Sequence, residues 1–101
     1  MKFISKLFKS DKPIINVIRM NGVIASGSKF PGSSNLSLES LEKQIERAFA
    51  GKKIAGVALI INSPGGSPVQ SSLISERIVE LSSKNNIPVF AFVEDVAASG
   101  G

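Results

Sequence analysis

Two hydrophobic periods alternate along the chain from Pro13 onward. Ile14-Ile15-Asn16-Val17-Ile18-Arg19-Met20 is β-branched and predicts a strand, with a turn or bulge at Asn21-Gly22 before Val23-Ile24. Ala25–Asn35 is rich in Ser and Gly and contains Pro31-Gly32, so it predicts a loop long enough to form the lip of a site. The period then lengthens. Leu38, Leu41, Ile45, Ala48 and Phe49 fall on one helical stripe, while Glu42, Lys43, Glu46 and Arg47 fall largely off it. Ser37 caps this helix, Glu39 suits the positive dipole end, and the helix runs through Ala50 until Gly51 ends it.

The next segment, Ile54–Asn62, is almost unbroken apolar and suits a strand buried on both faces of a parallel sheet. Ser63-Pro64-Gly65-Gly66 breaks it. Ser67 as cap, Pro68 at the first helical position and Gln70 three residues after the cap predict a helix start of the capping-box type. Val69, Leu73, Ile74, Ile78 and Leu81 supply its buried stripe, and Asn85-Asn86 closes it. Ile87–Val93 reads as another buried strand, and Glu94–Gly101 leaves it through a small-residue turn.

The order β-α-β-α-β with short links gives an α/β fold with a right-handed parallel layer. In such a layer, sites gather beyond the carboxyl ends of the strands. Three segments emerge there: Ala25–Asn35, Ser63–Ser67 and Ala97–Gly101. There are no repeats or low-complexity tracts.

Composition narrows the chemistry mainly by what it lacks. The 101 residues include neither His nor Cys, so a Ser-His-Asp triad, a Cys nucleophile and a Cys/His zinc site are all excluded within the chain. Any acyl chemistry therefore needs a Ser or Thr nucleophile and a base such as Lys. The apolar fraction of 43% is ample for a core. Of the net charge of +4, residues 1–12 carry +3 through four Lys and one Asp, leaving +1 for the remainder. A nucleic-acid surface would want basic residues across the fold with stacking aromatics, and the chain has neither Trp nor Tyr.

Residues 1–12 form a basic arm with Phe3, Ile4, Leu7 and Phe8 on one helical face. It reads as a basic tail or a terminal turn packed on the domain, or as a small interfacial helix touching an anionic membrane surface. Its apolar stretch is too short for a signal-peptide core or a bilayer span, which leaves a cytoplasmic or membrane-associated protein as the expectation.

Two glycines after a buried strand and before a capped helix expose backbone N–H groups that can hold an anion or a developing oxyanion. Gly65-Gly66 has that placement, although an ordinary strand-to-helix turn has it too. Ser99, between Ala98 and Gly100-Gly101, reads either as a nucleophile on a tight turn or as a helix cap. Its small neighbours admit a peptide carbonyl, and Gly100 can supply a second N–H.

The pair says more than either part. Ile60-Ile61-Asn62-Ser63-Pro64-Gly65-Gly66-Ser67, a helix and a strand, then Asp95-Val96-Ala97-Ala98-Ser99-Gly100-Gly101, resembles the signal peptide peptidase A family of serine peptidases. More distantly it resembles ClpP and the crotonase-like fold. The resemblance covers about Ile14 to Gly101. It implies that residues 13–101 are the N-terminal part of such a peptidase domain, incomplete at the C-terminus. It further implies Ser99 as nucleophile, Gly65 or Gly66 as one oxyanion donor, and Gly100 as the other. Implied partners are signal peptides or other extended peptides, with ring-like homo-oligomers when full length; no metal or organic cofactor is implied.

The family's general base is a Lys well beyond the serine, which places it past residue 101. Lys52, Lys53 and Lys84 precede strands, which predicts the wrong end of the sheet for them, while Lys29 falls on a Gly/Ser-rich lip loop expected to be solvated, unsuited to the desolvation a Lys base needs. The expectation is a peptidase that is inert as this 101-residue chain. Two alternatives are a non-catalytic interaction module of the same fold, and a crotonase-type enzyme holding a thioester enolate on the glycine N–H groups.

Overall fold

The computed structural model describes residues 12–26 and 35–101. The basic arm, apart from Lys12, and Lys29 therefore lie outside the described residues. The elements run β1 (Ile14–Asn21), β2 (Val23–Ile24), β3 (Asn35–Leu36), α1 (Leu38–Phe49), β4 (Ile54–Ser63), α2 (Pro68–Asn85) and β5 (Val89–Ala97). β1, β4 and β5 form a parallel sheet with β4 in the centre, and β2 pairs with β3 in a separate two-stranded parallel piece. The α/β class and parallel layer expected from the sequence are present.

Both helices begin where local chemistry puts them. The Ser37 hydroxyl accepts the Ser40 N–H at 3.1 Å and the Ser40 hydroxyl accepts the Ser37 N–H at 3.1 Å, a reciprocal cap built from two serines. At α2 the Ser67 hydroxyl accepts the Gln70 N–H at 3.1 Å, and Pro68 fills the first turn. The Gln70 side chain does not close the expected capping box. Its Oε1 reaches across to accept the Leu38 N–H at 2.9 Å, because the Ser67 N–H is already donated to the Ile24 carbonyl. One glutamine thus ties the start of α2 to the start of α1. Asn86 ends α2 in the left-handed conformation that asparagine tolerates.

The core lies between the helices and one face of the sheet. Ile18 and Met20 of β1 and Val57 and Leu59 of β4 pack with Ile45 and Phe49 of α1 and Ile74, Ile78 and Leu81 of α2. Each such side chain taken out of water contributes roughly 1.5–3 kcal/mol. Arg77 of α2 sits among Glu42 and Glu46 of α1 and Glu80, bracing the helix pair at its solvent edge.

Two burial expectations change. The last strand begins at Val89, not Ile87, and extends four residues further, to Ala97. Beyond half-buried Val89 it is exposed throughout. It is an edge strand, and the sheet face turned away from the helices has no cover among the described residues. The register puts Val17, Ala58 and Phe90 in one row of that face, and Arg19, Ile60 and Phe92 in the next. Phe90 and Phe92 are 50% and 54% exposed. Val69 and Leu73 likewise leave the expected stripe of α2, where Ile74, Ile78 and Leu81 take the inward line.

Candidate active site

The carboxyl ends of β4 and β5 meet through a distortion in their pairing. Ile61 pairs with Val93 and Ser63 with Ala97, so three residues of β5 oppose one of β4. A bulge of this kind bends the strand and re-aims the residues after it. Past the bulge, Ala98 donates its N–H to the Ser63 carbonyl at 3.1 Å, and Gly101 donates back to the Ala98 carbonyl at 2.9 Å. Ser99 stands at the head of the resulting turn with φ 48°, in the left-handed region where a residue bearing Cβ pays about 1–2 kcal/mol. Ser99 is exposed.

Gly65 lies directly against that turn. A Cβ placed on Gly65 would stand 2.6 Å from Ser99 Cβ, 2.7 Å from the Ala98 carbonyl oxygen and 3.2 Å from the Gly100 nitrogen. Only glycine permits this approach, and the φ of 98° at Gly65 favours glycine as well. Gly66 is held equally closely on its other side, where a Cβ would run into the Ile24 carbonyl. The structure therefore brings together the two segments that the sequence singled out thirty-odd residues apart.

The backbone donors of the loop can be accounted for one by one. Pro64 has no N–H. Gly65 donates to Ser63 Oγ at 3.0 Å, and Ser67 donates to the Ile24 carbonyl at 2.6 Å. The N–H of Gly66 has no acceptor among the described residues. Its direction is set by its peptide. The Gly65 carbonyl accepts the Ile24 N–H at 2.9 Å, every described peptide is trans, and in a trans peptide the N–H points opposite to the C=O. The Gly66 N–H is therefore turned away from Ile24. In the turn that Gly65 packs against, the N–H of Gly100 also lacks an acceptor among the described residues.

Beside Gly100 an apolar cavity of about 110 Å³ opens between sheet and α2, lined by Met20, Ile24, Leu59, Ile74 and Ile78, with Ser71 and Ser75 at α2. Ser71 packs so closely on Gly100 that a side chain there would strike its hydroxyl.

The described lysines keep away from Ser99. Lys12 precedes β1, Lys52 and Lys53 precede β4, Lys84 precedes β5, and Lys43 projects from the exposed side of α1. The Lys53 carbonyl accepts the Ile14 N–H at 2.9 Å, which places it at the amino edge. The ten residues of β4 put that edge roughly 30 Å from Ser63. The described residues also hold no group of three or more acidic or imidazole side chains suited to a metal ion.

Sequence reasoning passes over one residue of this site. Ser63 is completely buried and bonds to both halves, through its side chain to Gly65 and through its carbonyl to Ala98. The signal that could find it is a hydroxyl residue two positions before a glycine, a pattern that turns the backbone through a local side-chain hydrogen bond.

No family model matches the chain. Individual proteins do. The chain is 33% identical over 98 residues to the putative signal peptide peptidase SppA of Enterococcus faecium, a match covering 91% of this chain and 27% of that protein. It is 34% identical over 87 residues to Protease 4 of Salmonella typhi, covering 86% of this chain and 14% of that protein. The chain resembles SppA-type proteases. It is also 47% identical over 103 residues to a Brucella melitensis protein named Na(+)/H(+) antiporter NhaA, covering 99% of this chain and 14% of that protein. The chain thus spans 14 to 27% of the length of these relatives. Among the described residues no helix is long and apolar enough to cross a membrane.

Proposed function

We propose that the chain carries the nucleophile half of a serine endopeptidase of the signal peptide peptidase A type, on a ClpP/crotonase-like fold. The single observation that carries this reading is the unpaired Gly66 N–H facing away from Ile24, in a loop whose Gly65 packs directly on the left-handed Ser99. An outlying backbone conformation maintained at an exposed serine, beside two N–H groups without acceptors, supports nucleophilic acyl transfer.

In this reading Ser99 Oγ attacks the carbonyl carbon of the scissile peptide bond and its proton passes to a base. The carbonyl oxygen becomes an anion held by the N–H groups of Gly66 and Gly100. Collapse of the tetrahedral species breaks the C–N bond, and the amine leaves with a proton returned by the base. Water then hydrolyses the Ser99 ester by the same path. Each oxyanion donor is worth about 3–4 kcal/mol of transition-state stabilisation. The base is a Lys outside the described residues. An extended peptide is the substrate, with an apolar side chain in the cavity beside Gly100.

The test is covalent labelling of the whole gene product by a fluorophosphonate. Ser99 is the expected adduct site, and Ser99→Ala is expected to abolish the adduct; labelling that survives Ser99→Ala overturns the reading. A second reading, a non-catalytic interaction module, draws on the open apolar face around Phe90 and Phe92. It predicts no adduct at Ser99 in any length of the gene product.

A further inference from the structure

We infer that Ser63 is a positioning residue that selects which glycine N–H serves the site; the inference rests on the peptidase reading above. Two adjacent glycines offer two N–H groups, and with no side chain in the way either peptide can turn toward Ser99. The structure resolves the choice through Ser63. Its hydroxyl, with no exposure to solvent, accepts the Gly65 N–H at 3.0 Å and so withdraws it from the site. The Gly65 carbonyl is fixed on the opposite side by the Ile24 N–H at 2.9 Å. With both ends of Gly65 committed, the plane of the Gly65–Gly66 peptide is set, and the Gly66 N–H is left as the free donor.

The same residue locates the nucleophile. The Ser63 carbonyl accepts the N–H of Ala98, the residue immediately before Ser99, at 3.1 Å. Donor and nucleophile are therefore referred to one buried point at the end of the central strand. That matters because an oxyanion donor is effective only within a few tenths of an ångström of the developing charge, and misplacement by about 1 Å can cost about 100-fold in rate. Removing the hydroxyl leaves the Gly65 N–H buried without its acceptor and frees the peptide to rotate toward any other one.

The experiment compares Ser63→Ala, Ser63→Thr, Val57→Ala and Ser99→Ala in the whole gene product, with peptide hydrolysis and thermal unfolding measured on each. Ser63→Ala is expected to lower kcat about 10- to 100-fold with KM within about twofold, as loss of a transition-state contact requires. Ser63→Thr keeps the hydroxyl and is expected to recover most of that kcat, even where its extra methyl lowers the melting temperature. Val57→Ala, a fully buried change on the same strand away from the loop, is expected to lower the melting temperature at least as much as Ser63→Ala while leaving kcat near wild type. Wild-type kcat in Ser63→Ala, or a loss of kcat in Val57→Ala that matches it at equal melting temperature, overturns the inference. Full hydrolysis by Ser99→Ala overturns the peptidase reading and this inference with it.

Discussion

Gly65 and Ser99 touch so closely that a Cβ on the first would stand 2.6 Å from the Cβ of the second. Real Cβ atoms do not approach to that distance, so Gly65→Ala forces either the loop or the Ser99 turn to move. The strain of φ 98° adds to the clash. Gly65→Ala is expected to cost about 2–4 kcal/mol of stability, read by chemical denaturation, and to abolish labelling at Ser99. A stable variant with normal labelling would show that the two segments are not packed as described.

Ser99 is held at φ 48°, a conformation glycine enters freely. Ser99→Gly should therefore stabilise the fold by about 1 kcal/mol relative to Ser99→Ala, since alanine keeps the strain and glycine relieves it. Both variants lose the nucleophile. Equal unfolding free energies for the pair would mean that the turn is not strained.

The lysines described lie at the amino end of the sheet, roughly 30 Å from Ser63, or on the exposed side of α1. Without a base, a serine hydroxyl is a weak nucleophile. On the proposed reading, the 101-residue chain by itself is expected to show no fluorophosphonate adduct at Ser99, measured by intact mass, under conditions that label an SppA-type protease. An adduct of comparable rate in the short chain would place a base within these residues.

Phe90 and Phe92 stand half exposed on the uncovered sheet face, in rows with Val17 and Ala58 and with Arg19 and Ile60. An apolar face of this kind on an edge strand promotes association between chains. Phe92→Lys is expected to change folding stability of the 101-residue chain by no more than about 0.5 kcal/mol. The same change should raise the concentration at which that chain self-associates, measured by light scattering. Unchanged association would show that this face is not the sticky one.

Much of the framework is legible along the chain because its causes are local. Ser37, Ser67 and Pro68 start helices by satisfying or removing backbone donors within one turn, and Asn86 ends one by tolerating a left-handed backbone. The parallel order comes from strand and helix periods alone. Gln70 departs from its local pattern because its amide oxygen has two N–H donors to choose between, and the bond that takes one of them, from Ser67 to Ile24, involves a distant strand. The burial of β5 departs from expectation because an apolar run does not say how many faces a neighbour will cover.

The residue types at the site, a serine among small residues and a glycine pair before a capped helix, belong to the sequence itself. So does the absence of His and Cys, which excludes a Cys nucleophile and a Ser-His-Asp triad within these 101 residues. What tertiary structure alone decided is which atoms meet. The parallel pairing of β4 with β5 carries Ser99 onto Gly65, Ile24 takes the Gly65 carbonyl and the Ser67 N–H, and Ser63 takes the Gly65 N–H. A backbone N–H carries no residue identity, so its freedom can be read only after every competing hydrogen bond across the fold is in place.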